Sequence, residues 1–258
     1  MQINFHKYHG TGNDFILIDQ REKKYLTRKD QAIIQRLCQR HFGIGADGLM
    51  LLQNHPDYDF QMIYFNADGR ESSMCGNGGR CIVAFAQTLS IIEQRCRFLA
   101  IDGEHEATID DNWVSLKMAS VEHIEHHPQH YFLDTGSPHY VRFVEEVASV
   151  EVVKEGRPIR YSEAFAPNGT NVNFVQVKAD HQLAVATYER GVENETLSCG
   201  TGVTAAAIAY TLAHPTNEVR VQTKGGDLKV KLERKAAGFA NIWLCGPAQF
   251  VFTGQVEV

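Results

Sequence analysis

Two stretches of the chain decide its fold: FNADGRESSMCGNGGR at residues 65–80 and YERGVENETLSCGTGV at residues 188–203. Each begins at the predicted end of a strand, passes through a polar turn that contains glycine, and reaches a Cys-Gly-x-Gly sequence. The two cysteines, Cys75 and Cys199, are 199 − 75 = 124 residues apart, close to half of the 258-residue chain. A repeat with this period predicts two similar halves.

The segments around the repeat predict what each half contains. Mostly apolar residues follow both glycine motifs, over 79–92 and 203–213, and we expect a helix in each place. Segments such as 60–64 and 172–177 read as strands, and strands outnumber helices throughout. The sequence therefore predicts an α/β (α+β) fold of two similar, pseudo-symmetric domains. In each domain a mostly antiparallel β-sheet or barrel would wrap round a central helix.

Composition and charge exclude several classes of function. The chain has 25 Lys and Arg against 31 Asp and Glu, a net charge of −6, and its basic residues form no run. We therefore expect neither a nucleic acid nor an anionic membrane as a partner. No apolar run reaches the roughly 18 residues of a membrane span, and the first residues lack the pattern of a signal peptide. The expected location is the cytoplasm.

Six cysteines are too few for a disulfide scaffold in a chain of 258 residues, so we expect thiols. Cys75 and Cys199 stand where a helix would begin, and there the backbone N–H groups and the helix dipole favour a thiolate. The same N–H groups can hold a ligand carboxylate, because glycine leaves room for close approach. The other four cysteines, which we assign to packing, are Cys38, Cys81, Cys96 and Cys245.

A pair of thiols suits the inversion of a stereocentre. One group must remove the α-proton and the other must deliver a proton to the opposite face of the carbon. The ordinary pKa of cysteine, about 8.5, allows one thiolate and one thiol to coexist near neutral pH at little cost. The two helix N-termini would stabilise the negative charge that develops on the substrate.

Five motifs in a fixed order then carry a resemblance: GTGNDF at 10–15, FNADG at 65–69, MCGNGGRC at 74–81, ERG at 189–191 and LSCGTG at 197–202. This set resembles the diaminopimelate epimerase family. The resemblance implies interconversion of LL- and meso-2,6-diaminopimelate, a lysine and peptidoglycan precursor, with no cofactor. It also implies a homodimer and two domains, residues 1–118 with 248–258 and residues 119–247, whose active site lies in the cleft between them. Cys75 and Cys81 lack the spacing of zinc ligands, so we expect no metal there.

The resemblance also implies roles for individual residues. Cys75 and Cys199 would be the two bases, and His139 and Glu189 would tune them, since an imidazole or carboxylate in reach of a thiol can accept its proton. Amides and an Arg fork suit the distal amino-acid end of the substrate. The residues that match the substrate-binding positions are Asn13, Asn66, Gly76, Asn77, Asn171, Glu189, Arg190, Gly200 and Thr201.

The sequence departs from the family pattern at two positions. Ser137 stands before Pro-His where members usually carry Asn, and Gly48 stands where some members place Gln. Both positions belong to the region that is expected to contact the substrate. The departures put the contacts to the distal end of the substrate in question, but they leave the two cysteines unaffected.

Other functions compete with an epimerase of diaminopimelate. Proline and hydroxyproline epimerases share the two-cysteine pattern but typically carry His inside the first Cys-Gly-x-Gly motif, where this chain has Asn77. A redox switch would join Cys75 to Cys199 in a disulfide. A pyridoxal enzyme would need a Schiff-base lysine. Four histidines within 123–130 could form a metal site or pH switch, but the interleaved Glu and Pro residues favour a solvated segment.

Overall fold

The computed structural model describes residues 1–258, which divide into two compact units. The first half comprises Met1–Leu116 with Pro247–Val258, and the second half comprises Lys117–Gly246. The elements of the first half are β1 (Gln2–Gly10), β2 (Asn13–Asp19), α1 (Gln31–Cys38), β3 (Gly48–Gln53), β4 (Phe60–Asn66), α2 (Gly76–Thr88), β5 (Arg95–Ala100), β6 (Gly103–Asp110) and β7 (Trp113–Lys117).

The second half follows along the chain, and the last strand returns to the first half. Its elements are β8 (Ile124–His126), β9 (Tyr131–Asp134), β10 (Pro138–Phe143), α3 (Val152–Arg160), β11 (Asn171–Ala179), β12 (Gln182–Glu189), β13 (Asn194–Thr196), α4 (Gly200–Ala213), β14 (Glu218–Thr223), β15 (Gly226–Arg234) and β16 (Phe239–Pro247). Strand β17 (Gln249–Glu257) then pairs with β1 in antiparallel sense.

Strand pairing shows that the halves are built alike. In the first half the strands lie in the order β17-β1-β2-β3-β4-β5-β6-β7. In the second half the order is β8-β9-β10-β11-β12-β14-β15-β16. Each series has the same senses: antiparallel, antiparallel, parallel, antiparallel, parallel, antiparallel, antiparallel. The predicted fold of two pseudo-symmetric, mostly antiparallel halves is confirmed.

The parallel pairs explain where the helices occur. Parallel neighbours need a crossover connection, and a helix commonly provides it. Helices α1 and α3 lie in the first such connection of their halves, between β2 and β3 and between β10 and β11. Helices α2 and α4 lie in the second, between β4 and β5 and between β12 and β14. The two cysteine motifs therefore occupy equivalent places in the topology.

Helices α2 and α4 are the central helices of their halves. Every residue from Gly76 to Ala86 is buried, and α4 is buried almost throughout, from Gly200 to Thr211. Within the first half α2 contacts β1, β2, β3 and β6, and within the second half α4 contacts β9, β10, β11, β12, β14 and β15. A helix that is apolar on all sides is stable only where other elements surround it.

Both central helices begin three residues earlier than predicted. They start at Gly76 and Gly200, directly after the cysteines, so the glycines lie inside the first turn. Helix α2 also ends early, at Thr88 instead of residue 92, because Ser90 takes a left-handed conformation with φ of 55°. None of the four α-helices is both long and apolar enough to span a membrane.

Candidate active site

The two sulfur atoms occupy the same kind of position, the N-terminal end of a buried helix. Cys75 precedes α2 and Cys199 precedes α4, and both have the extended backbone angles of N-cap residues. Their carbonyl oxygens accept the first helical bonds, from the N–H groups of Gly79 and Val203 at 2.7 and 2.9 Å. Helix geometry leaves the N–H groups of the preceding residues without an intrahelical acceptor. Such an end favours negative charge on a sulfur or on a ligand carboxylate.

In the first half, Asn13, the first residue of β2, lies beside Cys75. Its Sγ lies 3.6 Å from the side-chain oxygen Oδ1 of Asn13. Asn77 donates from Nδ2 to the same oxygen at 3.3 Å. The amide of Asn13 has one orientation, because its Nδ2 donates to a carboxylate oxygen of Asp47 at 2.6 Å. Asn13 and Asn77, both predicted to hold the substrate, therefore lie together beside Cys75.

The buried side chain of Arg80 holds the residues around Cys75 in place. Its side chain is fully buried, and its Nη2 donates to Asn77 Oδ1 and to Thr11 Oγ1, each at 3.1 Å. Its Nη1 lies 3.4 Å from the carbonyl oxygen of Gly76. These bonds fix the orientation of the Asn77 amide and tie the β1–β2 turn to α2. Arg80 is not among the site residues predicted from the sequence, although a charge inside an otherwise apolar helix is an unusual feature that could have revealed it.

In the second half, Cys199 is only 7% exposed. Its Sγ lies 3.5 Å from the hydroxyl Oγ1 of Thr201, within reach of a hydrogen bond to the large sulfur atom. Gly202 makes room for a further group, since a Cβ there would lie 2.3 Å from Asn173 Oδ1 and 3.3 Å from Sγ. Glycine at this position therefore allows Asn173 and the sulfur to share the end of α4.

A chain of polar side chains leads away from Thr201. Its Oγ1 lies 3.3 Å from Ser137 Oγ, and that oxygen lies 3.1 Å from His139 Nε2. Asn171 donates from Nδ2 to the same Ser137 oxygen at 3.1 Å. Strands β10 and β11 set this geometry, because they run parallel with His139 opposite Asn171. Three residues singled out from the sequence thus meet at Ser137.

His139 is completely buried and uncharged. Burial first, and then the charge of Arg190, lower the pKa of its imidazole to about 3, although a hydrogen bond with Asn173 opposes the shift. Both ring nitrogens are in contact, Nδ1 with Asn173 Nδ2 at 3.0 Å and Nε2 with Ser137 Oγ. The ring therefore lacks the available acceptor that direct removal of a thiol proton would require. Its contact with Cys199 runs through Ser137 and Thr201.

The remaining predicted residues lie at strand ends. Glu189 ends β12, and the N–H of the following residue, Arg190, donates to Asn171 Oδ1 at 2.9 Å. Its guanidinium lies 3.4 Å from the carbonyl oxygen of Asn168. The structure thus brings Arg190 to Asn171. Asn66 ends β4 with an exposed side chain.

The departure at Gly48 has a steric reason. A Cβ at this position would lie 2.5 Å from Cε2 of Tyr64 and 2.7 Å from the carbonyl oxygen of Phe65. Strands β3 and β4 pair here, with Gly48 opposite Asn66. The Tyr64 ring occupies the space that a larger side chain would need, so position 48 offers no side chain for a substrate contact.

The other four cysteines pack in cores. Each is buried, and none of the six cysteines forms a disulfide. Burial raises the pKa of Cys38 and Cys96 to about 12 and that of Cys81 further, which keeps these three as thiols. The histidine segment forms the β8–β9 hairpin, where the rings of His127 and His130 stack with centroids 4.4 Å apart.

Solved structures share the fold of this chain at low sequence identity. A phenazine biosynthesis protein of the PhzF family from Bacillus anthracis matches with a TM-score of 0.79 at 12% identity, covering 100% of both chains. A hydroxyproline epimerase from Agrobacterium vitis matches with a TM-score of 0.70 at 16% identity, covering 99% of this chain and 92% of that one. The chain therefore has the two-domain α/β fold of this group.

Sequence relatives give the family. The model of the family "Diaminopimelate epimerase" matches residues 5–124 and 131–251, one segment for each repeat. A diaminopimelate epimerase of Flavobacterium psychrophilum is 50% identical over 253 residues, 97% of this chain and 98% of the relative. One from Aquifex aeolicus is 38% identical over 275 residues, 99% of this chain and 98% of the relative. The chain belongs to the diaminopimelate epimerase family. It is an isomerase that acts on a small molecule.

Proposed function

We propose that this enzyme interconverts LL- and meso-2,6-diaminopimelate by a cofactor-independent two-base mechanism, with Cys75 and Cys199 as the bases. One observation carries the proposal: topologically equivalent buried helices, one in each half, both begin at a cysteine N-cap. Residues 1–118 with 248–258 would carry one base, and residues 119–247 the other. The family membership and the names of the relatives support the choice of substrate.

In this mechanism the thiolate removes the α-proton while the other thiol protonates the opposite face of the carbon. One cysteine gains a proton and the other gives one up, so no proton is consumed overall. The two cysteines exchange roles in the reverse reaction. The N–H groups of Gly76, Gly200 and Thr201 would bind the carboxylate at the reacting carbon, since helix ends favour anions. Asn13, Asn66, Asn77, Asn171, Glu189 and Arg190 would hold the rest of the substrate, and His139 would act on Cys199 through Ser137 and Thr201.

The reaction is tested by incubating the reduced enzyme with LL-diaminopimelate in D₂O. The proposal requires a mixture of LL and meso isomers, with deuterium at the inverted α-carbon of the product appearing ahead of deuterium in the remaining substrate. L-Proline and trans-4-hydroxy-L-proline serve as competing substrates in the same assay. Inversion of either of these with none of diaminopimelate would replace the proposed substrate, and absence of all exchange would refute an epimerase.

The assignment of the bases is tested by Cys75→Ala and Cys199→Ala. Each variant should lose turnover by several orders of magnitude, because both the removal and the delivery of a proton are needed. Cys96→Ala is the matched control: this thiol is buried in a core, so turnover should persist with only a modest loss of stability. Wild-type turnover in either of the first two variants would remove that cysteine from the mechanism.

Oligomeric state and location belong to the same proposal. We expect a homodimer, and the exposed apolar side chains of Phe250, Val251 and Phe252 on β17 are consistent with a surface that a second copy covers. Sedimentation at micromolar concentration decides between dimer and monomer. We place the enzyme in the cytoplasm, because a reducing compartment keeps both catalytic cysteines as thiols.

A further inference from the structure

The direction of each hydrogen bond in the group around Cys199 follows from the backbone. Asn171 Nδ2 lies 3.1 Å from the carbonyl oxygen of Pro138, which can only accept, and its Oδ1 receives the backbone N–H of Arg190. The amide of Asn171 therefore has one orientation. The Nδ2 group must donate to Ser137 Oγ as well.

The hydrogen bonds of Asn173 fix the tautomer of His139. Asn173 Nδ2 donates to the carbonyl oxygen of Tyr140 at 2.9 Å, and its Oδ1 accepts from the Thr187 hydroxyl at 2.9 Å. Its second Nδ2 hydrogen therefore points at His139 Nδ1, which must accept. A neutral ring that accepts at Nδ1 carries its proton on Nε2. Hence His139 donates to Ser137.

Ser137 then has no choice of direction. A hydroxyl has two lone pairs and one hydrogen, and Asn171 and His139 occupy both lone pairs. The single hydrogen of Ser137 must go to Thr201 Oγ1 at 3.3 Å. Thr201 can then use its own hydrogen on Cys199 Sγ at 3.5 Å, and a donor aimed at sulfur stabilises the thiolate over the thiol.

In the first half, the sulfur of Cys75 faces a hydrogen-bond acceptor, whereas that of Cys199 faces a donor. The Sγ of Cys75 faces Asn13 Oδ1, which is an acceptor because the Nδ2 of the same amide donates to Asp47. An acceptor beside sulfur stabilises a thiol, which can donate its S–H, over a thiolate. Charged and titratable groups border both networks. In the first half Arg80 donates to Asn77, Asp47 accepts from Asn13, from Arg40 and from the backbone N–H of Asp14, and Asp102 accepts from the N–H of Met74. In the second half the groups are His139, Arg190 and Glu189, which precedes Arg190 in the chain.

We propose that Ser137 is a positioning residue, which directs a hydrogen-bond donor at the Cys199 sulfur and makes Cys199, not Cys75, the thiolate of the enzyme without substrate. The inference builds on the proposed two-base mechanism, in which one cysteine must start as thiolate and the other as thiol. It gives the departure from the family pattern at Ser137 a role. A hydroxyl that accepts from two donors must donate its own hydrogen bond to a third group, here Thr201. A substrate contact is not needed to account for this residue.

The experiment measures the rate of alkylation by iodoacetamide at each cysteine of the full-length enzyme without substrate. Peptide mass spectrometry follows Cys75 and Cys199 separately from pH 5 to 10, at conversions low enough that few molecules are modified twice. The inflection of rate against pH reports the thiol pKa whatever the accessibility of the sulfur. We expect the inflection of Cys199 to lie below that of Cys75.

Four variants of the second half test the role of Ser137. In Thr201→Val the Cys199 inflection should rise by about one pH unit, the value of one hydrogen bond to a charged group, and Thr201→Ser should restore it. Ser137→Ala should raise the same inflection by a smaller amount and leave that of Cys75 in place. Ser149→Ala, which alters an exposed hydroxyl bonded to the Glu146 carbonyl, is the matched control and should change neither inflection.

Three results would overturn the inference: equal inflections in the unaltered enzyme, an unchanged Cys199 inflection in Ser137→Ala, or equal shifts at both cysteines. A far-ultraviolet circular dichroism spectrum and a urea midpoint equal to those of the unaltered enzyme show that a variant has folded. Ser137→Thr, which keeps the hydroxyl, provides a second variant that should behave as the unaltered enzyme does. Alkylation needs no turnover, so it is independent of the D₂O assay. Failure of that assay would remove the epimerase and leave the assignment of the thiolate intact.

Discussion

At the scale of single residues, folding changes the pKa of His139 enough to make stability depend on pH. Its pKa falls from 6.5 to about 3 on folding, because of burial first and the charge of Arg190 second. Between these two values the unfolded chain binds a proton that the folded chain does not. Stability is therefore undiminished above pH 6.5 and is lost as pH falls toward 3, by about 1.4 kcal/mol per pH unit well inside this window.

We predict that His139→Gln, although less stable near pH 7, loses stability less steeply than the unaltered enzyme between pH 6 and 4. Urea unfolding at several pH values measures the difference in slope. His123→Gln is the control, since His123 is exposed, and it should retain the slope of the unaltered enzyme. Parallel curves for His139→Gln and the unaltered enzyme would contradict a buried neutral imidazole.

Arg80 is the second residue for which a change should be costly. Its guanidinium is fully buried and bonds Asn77, Thr11 and the Gly76 carbonyl. Lysine carries fewer donors in a different geometry, so Arg80→Lys should leave polar groups unsatisfied and cost about 3–5 kcal/mol of unfolding free energy. Arg95→Lys on an exposed position is the control, and urea denaturation should find it within about 0.5 kcal/mol of the unaltered enzyme.

The residues around the two cysteines differ in how far the sequence predicts them. Cys75 and Cys199 could be predicted because a repeated pattern stood out along the chain. Asn173 was missed, although Asn171 and Asn173 lie two apart in a strand and therefore on one face, an arrangement that indicates paired polar contacts. The role of Ser137 could not be predicted, because it depends on hydrogen-bond directions that only the parallel register of β10 and β11 sets.

At the scale of elements, the two central helices differ in what surrounds the glycine three residues after each cysteine. In α2 a Cβ on Gly78 would meet the Cε atom of Met50 at 2.3 Å, and this flexible side-chain end can move. In α4 a Cβ on Gly202 would lie 2.3 Å from Asn173 Oδ1. That oxygen accepts from Thr187, and the same amide holds His139, so it cannot move without breaking the network.

We predict that Gly202→Ala is far more damaging than Gly78→Ala, although both are the same change at equivalent helix positions. Gly78→Ala should alter the unfolding free energy by about 1 kcal/mol or less, because the gain in helix propensity offsets the repacking of Met50. Gly202→Ala should cost about 2–3 kcal/mol and lower kcat by more than tenfold. Urea denaturation and steady-state kinetics measure both, and equal effects would count against a rigid network at α4.

The helices also show what periodicity can predict. The apolar residues predict that both helices exist, but they do not include the glycines before residues 79 and 203, because glycine usually interrupts helices. The structure places Gly76 and Gly200 inside the helices, because the cysteines before them take the extended N-cap conformation. This difference of three residues matters chemically, since it puts the backbone N–H groups of both glycine motifs in the first helical turn, directly after the sulfurs.

At the scale of the whole molecule, the repeat predicted two halves, and the identical series of strand senses confirms it. Each half has buried clusters of its own. What periodicity did not show is that β17 belongs with β1, since a strand pairing over nearly the full length of the chain leaves no local pattern. The family resemblance supplied that expectation.

Because β17 pairs with β1, a substitution near the C-terminus should lower the stability of the first half alone. Val256 packs against the core cluster of the first half, whereas the neighbouring Gln255 is exposed on the opposite face of the strand. Val256→Asp places a carboxylate at that core and should cost about 2–4 kcal/mol, whereas Gln255→Asp should cost less than about 1 kcal/mol. Hydrogen exchange should show lost protection in β1, β2 and β3, with protection of α4 retained, because each half has its own core and can open separately. Equal loss of protection in both halves would show that the chain unfolds as a single cooperative unit.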